Sequence, residues 1–238
     1  MENPEASSLA ERAYQRLRSE ILYGDLMPGE RLRPADLQDK FHLGLTPIRE
    51  ALMRLSSENL VALDTHRGSR VSETSLTELS DLMATRRSIE GLCLTSAMIH
   101  GDAAWEAEVV SAMHLLSKTP LPRSAKDREA ATLWESRHRR FHHAMVGACQ
   151  EKWLLWFWNI LADHSERYRK FRLLQRMPVK SKARDIEAEH HAMMEAVLAR
   201  DHSLATRLMS DHLSATEKSV ALGLAASPPS IWPTKGSA

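Results

Sequence analysis

Thr46-Pro47-Ile48-Arg49-Glu50-Ala51-Leu52-Met53-Arg54-Leu55-Ser56-Ser57-Glu58-Asn59-Leu60 is the stretch on which the fold turns. It reads as one helix. Thr46 is a good N-cap, because its hydroxyl can accept from an unpaired N–H of the first turn. Pro47 suits the first helical position, where a missing N–H costs nothing. Ile48, Ala51, Leu52 and Leu55 fall at i, i+3, i+4 and i+7, so one stripe faces a core. Arg49 and Met53 lie on another face. The end that carries Thr46 has free N–H groups and is a natural seat for an anion. An arginine in its first turn suits a phosphate or the edge of a guanine. By itself the helix is ordinary, and its neighbours give it meaning.

Upstream, residues 1–8 read as frayed and Leu9 to Tyr23 as a helix with Ala13, Leu17, Ile21 and Leu22 on one stripe. Gly24-Asp25 stops it, and Met27-Pro28-Gly29-Glu30 is a turn. Pro34 to Phe41 form a short helix, and His42-Leu43-Gly44-Leu45 connects it to the Thr46 helix. Two helices joined by a short turn containing glycine are a helix-turn-helix. Downstream the pattern changes to alternation: Val61 and Leu63, then His66-Arg67-Gly68, then Ser69-Arg70-Val71-Ser72. Two short strands around a glycine turn make a wing. His66, Arg67 and Arg70 place donors at its tip and flank. Arg33 either reaches out or pairs with Asp36. Arg54 suits a solvated helix face as well as it suits a phosphate.

These motifs, in order, resemble the winged helix-turn-helix of GntR-family transcriptional regulators. Carrying the resemblance are Tyr14-x-x-Leu17, Ile21-Leu22-x-Gly24-x-Leu26-x-Pro28-Gly29-x-x-Leu32, Thr46-Pro47-Ile48-Arg49-Glu50-Ala51-Leu52-x-x-Leu55 and Arg67-Gly68-x-x-Val71. It implies that the Thr46 helix enters the major groove and the wing contacts the minor groove. Thr46, Arg49 and Gly68 match motif positions. There are two departures: Gly44-Leu45 stands where a Ser/Thr-Arg pair is common, and the arginine or glutamate common near the start of the second helix is missing around Ala35, although Arg33 is near. Residues 1–75 hold ten Lys/Arg against twelve Asp/Glu. Non-specific attraction to DNA, which scales with phosphates neutralised, is therefore weak. Binding then leans on a homodimer presenting two reading helices and two wings to a palindromic site.

The whole chain has 238 residues and a net charge of +1, so no global basic field draws it to nucleic acid. Its length allows two modest domains. The acidic opening lacks an apolar core, so no signal peptide is expected. The longest strongly apolar run, Trp153 to Ala162, is too short to span a bilayer. Cys93 and Cys149 lie in apolar helical patterns and read as buried thiols of a cytoplasmic protein. Histidine stands out at 12 residues.

From Leu76 onward the pattern is helical. The expected helices are Thr77–His100, Ala104–Ser117, Lys126–Cys149, Lys152–Leu174, Ser181–Ala199 and Ser203–Gly223, and residues 223–238 form a flexible tail. The cluster Trp153, Trp156, Phe157 and Trp158 reads as bundle core and dimer packing. His138 and His142, at i, i+4, share a helix face. His190 follows Glu189 on a later helix, and His212 lies on the last. Inward side chains of three antiparallel helices can converge on a metal. Spacing alone argues this weakly in a chain so rich in histidine.

A second resemblance strengthens it. Arg86-Arg87-x-Ile89-Glu90, His138-x-x-Phe141-His142-x-x-Met145, Trp153-Leu154-Leu155, Glu189-His190-x-x-Met193 and Met209-x-x-His212-Leu213 are similar to the FCD ligand-binding domain of the FadR-like subgroup of these regulators. The resemblance implies a divalent cation held by His138, His142, His190 and His212, with histidine at His138 where aspartate is usual. Four neutral imidazoles leave the cation at +2, favour zinc or nickel over manganese, and attract an anion. It further implies a small carboxylate effector meeting Arg86, whose fork suits a carboxylate. A salt bridge from Arg86 to Glu90, also i, i+4, is the competing role.

The expected architecture is mostly α: a winged helix-turn-helix (1–75), an all-α antiparallel bundle for effector binding and dimerisation (76–222), and the tail. The expected function is a cytoplasmic, metabolite-responsive DNA-binding regulator, a repressor by default, and not an enzyme. Two alternatives stand beside it: an all-helical metal-dependent enzyme, with Glu189 as its one candidate base, and a metal-responsive regulator without an organic effector.

Overall fold

A computed structural model of the chain describes residues 8–64, 68–122, 127–174 and 184–225. The chain divides into two compact units, one reaching Ser75 and the other beginning at Leu76. The first contains α1 (Leu9–Tyr23), β1 (Arg31–Leu32), α2 (Pro34–Phe41), α3 (Leu45–Ser57), β2 (Val61–Asp64) and β3 (Gly68–Val71). Ser8 caps α1 by accepting from the Glu11 N–H, and Gly24 ends it in the left-handed region at φ 74°. That conformation costs glycine little, because it has no Cβ. Ile48, Ala51, Leu52 and Leu55 of α3 pack with Leu17 and Ile21 of α1 and Leu37 and Phe41 of α2 in one core.

Helix α3 begins two residues earlier than its sequence suggests. Gly44 is the N-cap, and the Ile48 N–H donates to the Gly44 carbonyl at 3.3 Å. Thr46 is therefore inside the first turn rather than capping it. Pro47 fits there equally well, since first-turn N–H groups have no intrahelical partner. The helix stops at Ser57, short of Leu60, because Asn59 takes φ 56° and turns the chain into β2.

The wing is a three-stranded antiparallel sheet in the order β1-β3-β2. Val61 faces Val71, and Asp64 faces Gly68. Strand β1 pairs Leu32 with Ser69. At two residues it is too short for alternation to reveal it.

The second unit contains α4 (Leu76–His100), α5 (Ala103–Ser117), α6 (Arg128–Val146), α7 (Lys152–Leu174), α8 (Ile186–Leu198) and α9 (His202–Ala225). Asp102, Asp127 and Asp185 cap α5, α6 and α8 through their side chains. These caps start α6 and α8 later than the expected Lys126 and Ser181. Helix α9 runs to Ala225, past the expected Gly223, and the rest of the expected tail lies outside the described residues. Helix α4 packs on α7 and α9, while α5 packs on α6 and α8. Cys93 and Cys149 are buried and free. No helix among the described residues is long and apolar enough to cross a membrane.

Candidate functional site

The first unit presents α3 to solvent at its N-terminal end. Thr46 and Arg49 are exposed there, as is Met53, while the apolar stripe is buried. Arg33 is the exposed N-cap residue of α2 and makes no side-chain cap bond. Gly68 opens β3 at φ 75°, a conformation side chains resist. Arg70 donates from Nη1 to the Gly29 carbonyl at 3.1 Å, so it braces the turn before β1. His66 and Arg67 lie outside the described residues. Arg54 is held within the unit: it donates to Glu11 at 2.6 Å and lies over the Tyr14 ring at 3.6 Å. That occupation leaves Arg49, and not Arg54, as the available cation of α3.

The second unit gathers its histidines. His138 and His142 come from α6, His190 from α8 and His212 from α9, and all four are buried. Each offers a ring nitrogen, and these nitrogens lie within 4.8 Å of one another. Nε2 of His138 and Nε2 of His142 are 3.2 Å apart. Nδ1 of His138, Nδ1 of His142 and Nε2 of His190 have no hydrogen-bond partner. Burying such atoms without partners is costly, and a bound cation relieves the cost at whichever nitrogen faces it. The residues therefore fit a divalent metal held by nitrogen.

Carboxylates stand behind two of the rings. Oε2 of Glu189 is 2.9 Å from Nδ1 of His212, which leaves the Nε2 lone pair for a ligand role. Glu189 is also gripped by Arg184. Oε1 of Glu90 lies 3.7 Å from Nδ1 of His142. Burial lowers the pKa of every cluster histidine, well below normal for His138 and His190 and to about 3 for His212. Glu90 and Glu189 partly oppose this at His142 and His212. The imidazoles are thus neutral, the form that binds a metal. Burial also pushes Glu90 up, but the charge of Arg86 and the contact with His142 outweigh it and hold it at about 2.

Arg86 and Glu90 form a fully buried ion pair, with Nε donating to Oε2 at 3.1 Å. The salt bridge weighed from the sequence is therefore present. Nη1 of Arg86 is still buried without a partner, so the guanidinium keeps a donor in reserve. Sequence reasoning missed Arg169 on α7. It is buried, pairs with Glu135 through Nη2 at 3.0 Å and Nε at 3.3 Å, and its charge helps lower the pKa of His138, His142 and His190. Ala162, Ser165 and Arg169 fall at i, i+3 and i+7 on the buried stripe, a signal that could have found it. The aromatic cluster divides: Trp158 is core, whereas Trp153, Trp156 and Phe157 are exposed and touch edge to face.

Comparison with known proteins addresses the whole chain. The model of the bacterial regulatory proteins of the gntR family matches residues 9–71, and that of the FCD domain matches residues 81–215. The HTH-type transcriptional regulator BphR of Paraburkholderia xenovorans (strain LB400) is 36% identical over 209 residues, covering 88% of this chain and 84% of its own. The HTH-type transcriptional repressor GlaR of Escherichia coli (strain K12) is 35% identical over 200 residues, covering 84% and 90%. Among solved structures, E. coli McbR/YncC superposes with a TM-score of 0.68 at 18% identity, covering 91% of this chain and 98% of that one. A GntR regulator from Rhodococcus sp. RHA1 gives 0.67 at 20% identity, covering 93% and all of that chain. These two likenesses establish the fold.

Proposed function

Because the chain belongs to the GntR family of transcriptional regulators, with an FCD domain after its winged helix-turn-helix, we propose that it is a dimeric repressor whose hold on a palindromic operator is controlled by a small carboxylate bound at a metal. The relatives are regulators, so the enzymatic alternative falls away. The observation that carries the rest is the convergence of four buried, neutral imidazoles, each offering a ring nitrogen within 4.8 Å of the others. Zinc suits this all-nitrogen set, with nickel next. His138, His142, His190 and His212 would hold the cation, which when bound would supply a Lewis-acid seat for a carboxylate oxygen. Arg86 would meet the same carboxylate through Nη1. Glu90 and Glu189 would orient His142 and His212.

In the DNA-binding domain, Thr46 and Arg49 would address the major groove, and the wing, with His66, Arg67, Gly68 and Arg70, the minor groove. Arg33 would reach the backbone beside them. The exposed Trp153, Trp156 and Phe157 supply apolar surface of the kind that dimer contacts use. A ligand changes operator affinity only through its different affinity for the two arrangements of the heads. The protein would act in the cytoplasm, where its DNA and metabolite are found.

A gel shift on duplexes from upstream of its own gene tests the proposal. The wild type should retard one of them specifically. Arg49→Ala should weaken binding by about tenfold or more, the usual cost of a lost base contact. Absence of retardation at low salt with any promoter duplex would overturn it.

A further inference from the structure

A cavity of about 500 Å³ adjoins the histidine cluster, where the end of α5, the segment to Leu121, α6 and the first turn of α8 meet. Its volume falls among those of small-molecule sites, roughly 300–1,000 Å³. Met113, Leu116, Trp134 and His190 form its deep wall, and all are buried. Charged groups are confined to the rim, where Lys118 and Glu187 are exposed. Two walls are continuous with the cluster. His190 belongs to it, and the Trp134 indole stacks on His138 with centroids 4.7 Å apart and planes 19° from parallel. The cavity thus meets the histidine cluster on one side, through His190 and Trp134, and hydrocarbon on the other. A wholly polar acid would match only the first and would leave the apolar wall facing water.

Resting on the reading of the cluster as a metal–carboxylate site, we infer that the effector is a carboxylate with an apolar body, alkyl or aryl. The carboxylate lies toward His190, and the body fills the cavity against Trp134, Leu116 and Met113. Each methylene buried there strengthens binding by up to about fourfold. Part of that gain is lost to ordering the chain.

The test uses full-length protein, and zinc binding is measured first by calorimetry. The zinc-loaded protein is then titrated with acetate, butanoate, hexanoate and 3-phenylpropanoate. Affinity should climb along the series, with hexanoate at least tenfold tighter than acetate. Leu116→Trp, which fills the cavity, should abolish the climb while leaving zinc and acetate binding unchanged. If that variant does not fold, Ile186→Trp at the half-buried rim blocks the same space. Equal binding of acetate and hexanoate to zinc-loaded wild type would overturn this inference alone. Failure of zinc to bind would overturn the reading of the cluster, and this inference with it.

Discussion

Glu90→Gln separates the roles that converge on one buried carboxylate. Glu90 is fully buried, pairs with Arg86 at 3.1 Å and stands 3.7 Å from His142. The amide keeps the shape and still offers an oxygen to Arg86, but it removes the charge. Arg86, itself 3% exposed, would then be a buried guanidinium without a counter-ion. Breaking a buried pair from one side costs about 3–5 kcal/mol, and the retained oxygen puts this case at about 3. At about 2–4 °C per kcal/mol for a domain of this size, the helical unit should melt roughly 6–12 °C lower. Zinc affinity should fall about 10–100-fold, because a carboxylate behind a ligating imidazole raises its basicity and fixes its ring. Circular dichroism melts and zinc calorimetry read the two effects. Arg86→Met combined with Glu90→Leu removes both charges and should recover most of the melting temperature, but not the zinc affinity. A Glu90→Gln protein that melts within about 1 °C of wild type and binds zinc equally would refute the shared role.

Four further outcomes follow from the geometry. Burial first, then the hydrogen bond to Glu58, raise the Tyr14 phenol to about 12. Between pH 10 and 12 the unfolded chain ionises while the folded one does not, so this contribution is full below pH 10 and lost as pH rises to 12. The urea midpoint should therefore fall more between pH 9 and 11.5 in wild type than in Tyr14→Phe. A Cβ at Gly101 would lie 2.1 Å from Cε3 of the buried Trp105, so Gly101→Ala should cost about 1–3 kcal/mol in denaturant unfolding. Gly91→Ala, whose Cβ would meet only Thr206 at 4.0 Å, should instead stabilise helix α4 by about 0.5–1 kcal/mol. His138→Asp would add a negative ligand, and acetate should bind the zinc-loaded variant at least tenfold more weakly by calorimetry. Unchanged acetate affinity would show that charge at this position does not govern the anion.

Local signals made much of the fold legible, and their limits explain the rest. Ser8 and Gly24 bracket α1, and Pro34 begins α2, so both helices could be bounded from the sequence. The start of α3 could not. Gly44 caps it without any side chain, while Thr46-Pro47, two residues later, carries the better-looking signal. Strand β1 exists because β3 supplies its partners, which no pattern within two residues can announce. In the bundle, the capping aspartates Asp127 and Asp185 were the true boundaries of α6 and α8, hidden among other polar residues. The i, i+4 spacing displayed His138 and His142 as a pair. Their meeting with His190 and His212 depends on how α6, α8 and α9 pack, which the family resemblance supplied and periodicity did not. The Arg169–Glu135 pair spans 34 residues, so only the burial stripe on α7 hinted at it.

The arrangement of charge in the helical unit also gives a reason for its proposed use. Three described arginines near the cluster are matched: Arg86 by Glu90, Arg169 by Glu135 and Arg184 by Glu189. Burial keeps the four histidines neutral. Among the described residues there is therefore no spare negative charge for a cation bound between them, since Glu90 and Glu189 stand behind the rings and already face guanidiniums. A divalent ion there would hold its +2 in a low-dielectric interior, where an unbalanced charge is expensive. The economical remedy is an anion from outside, and Arg86 still has an unpartnered Nη1 to receive one. If His138 stands where the resemblance implies an aspartate, the missing charge would pass from the protein to the ligand. Effector and metal binding would then be strongly linked, because neither charge would be balanced without the other.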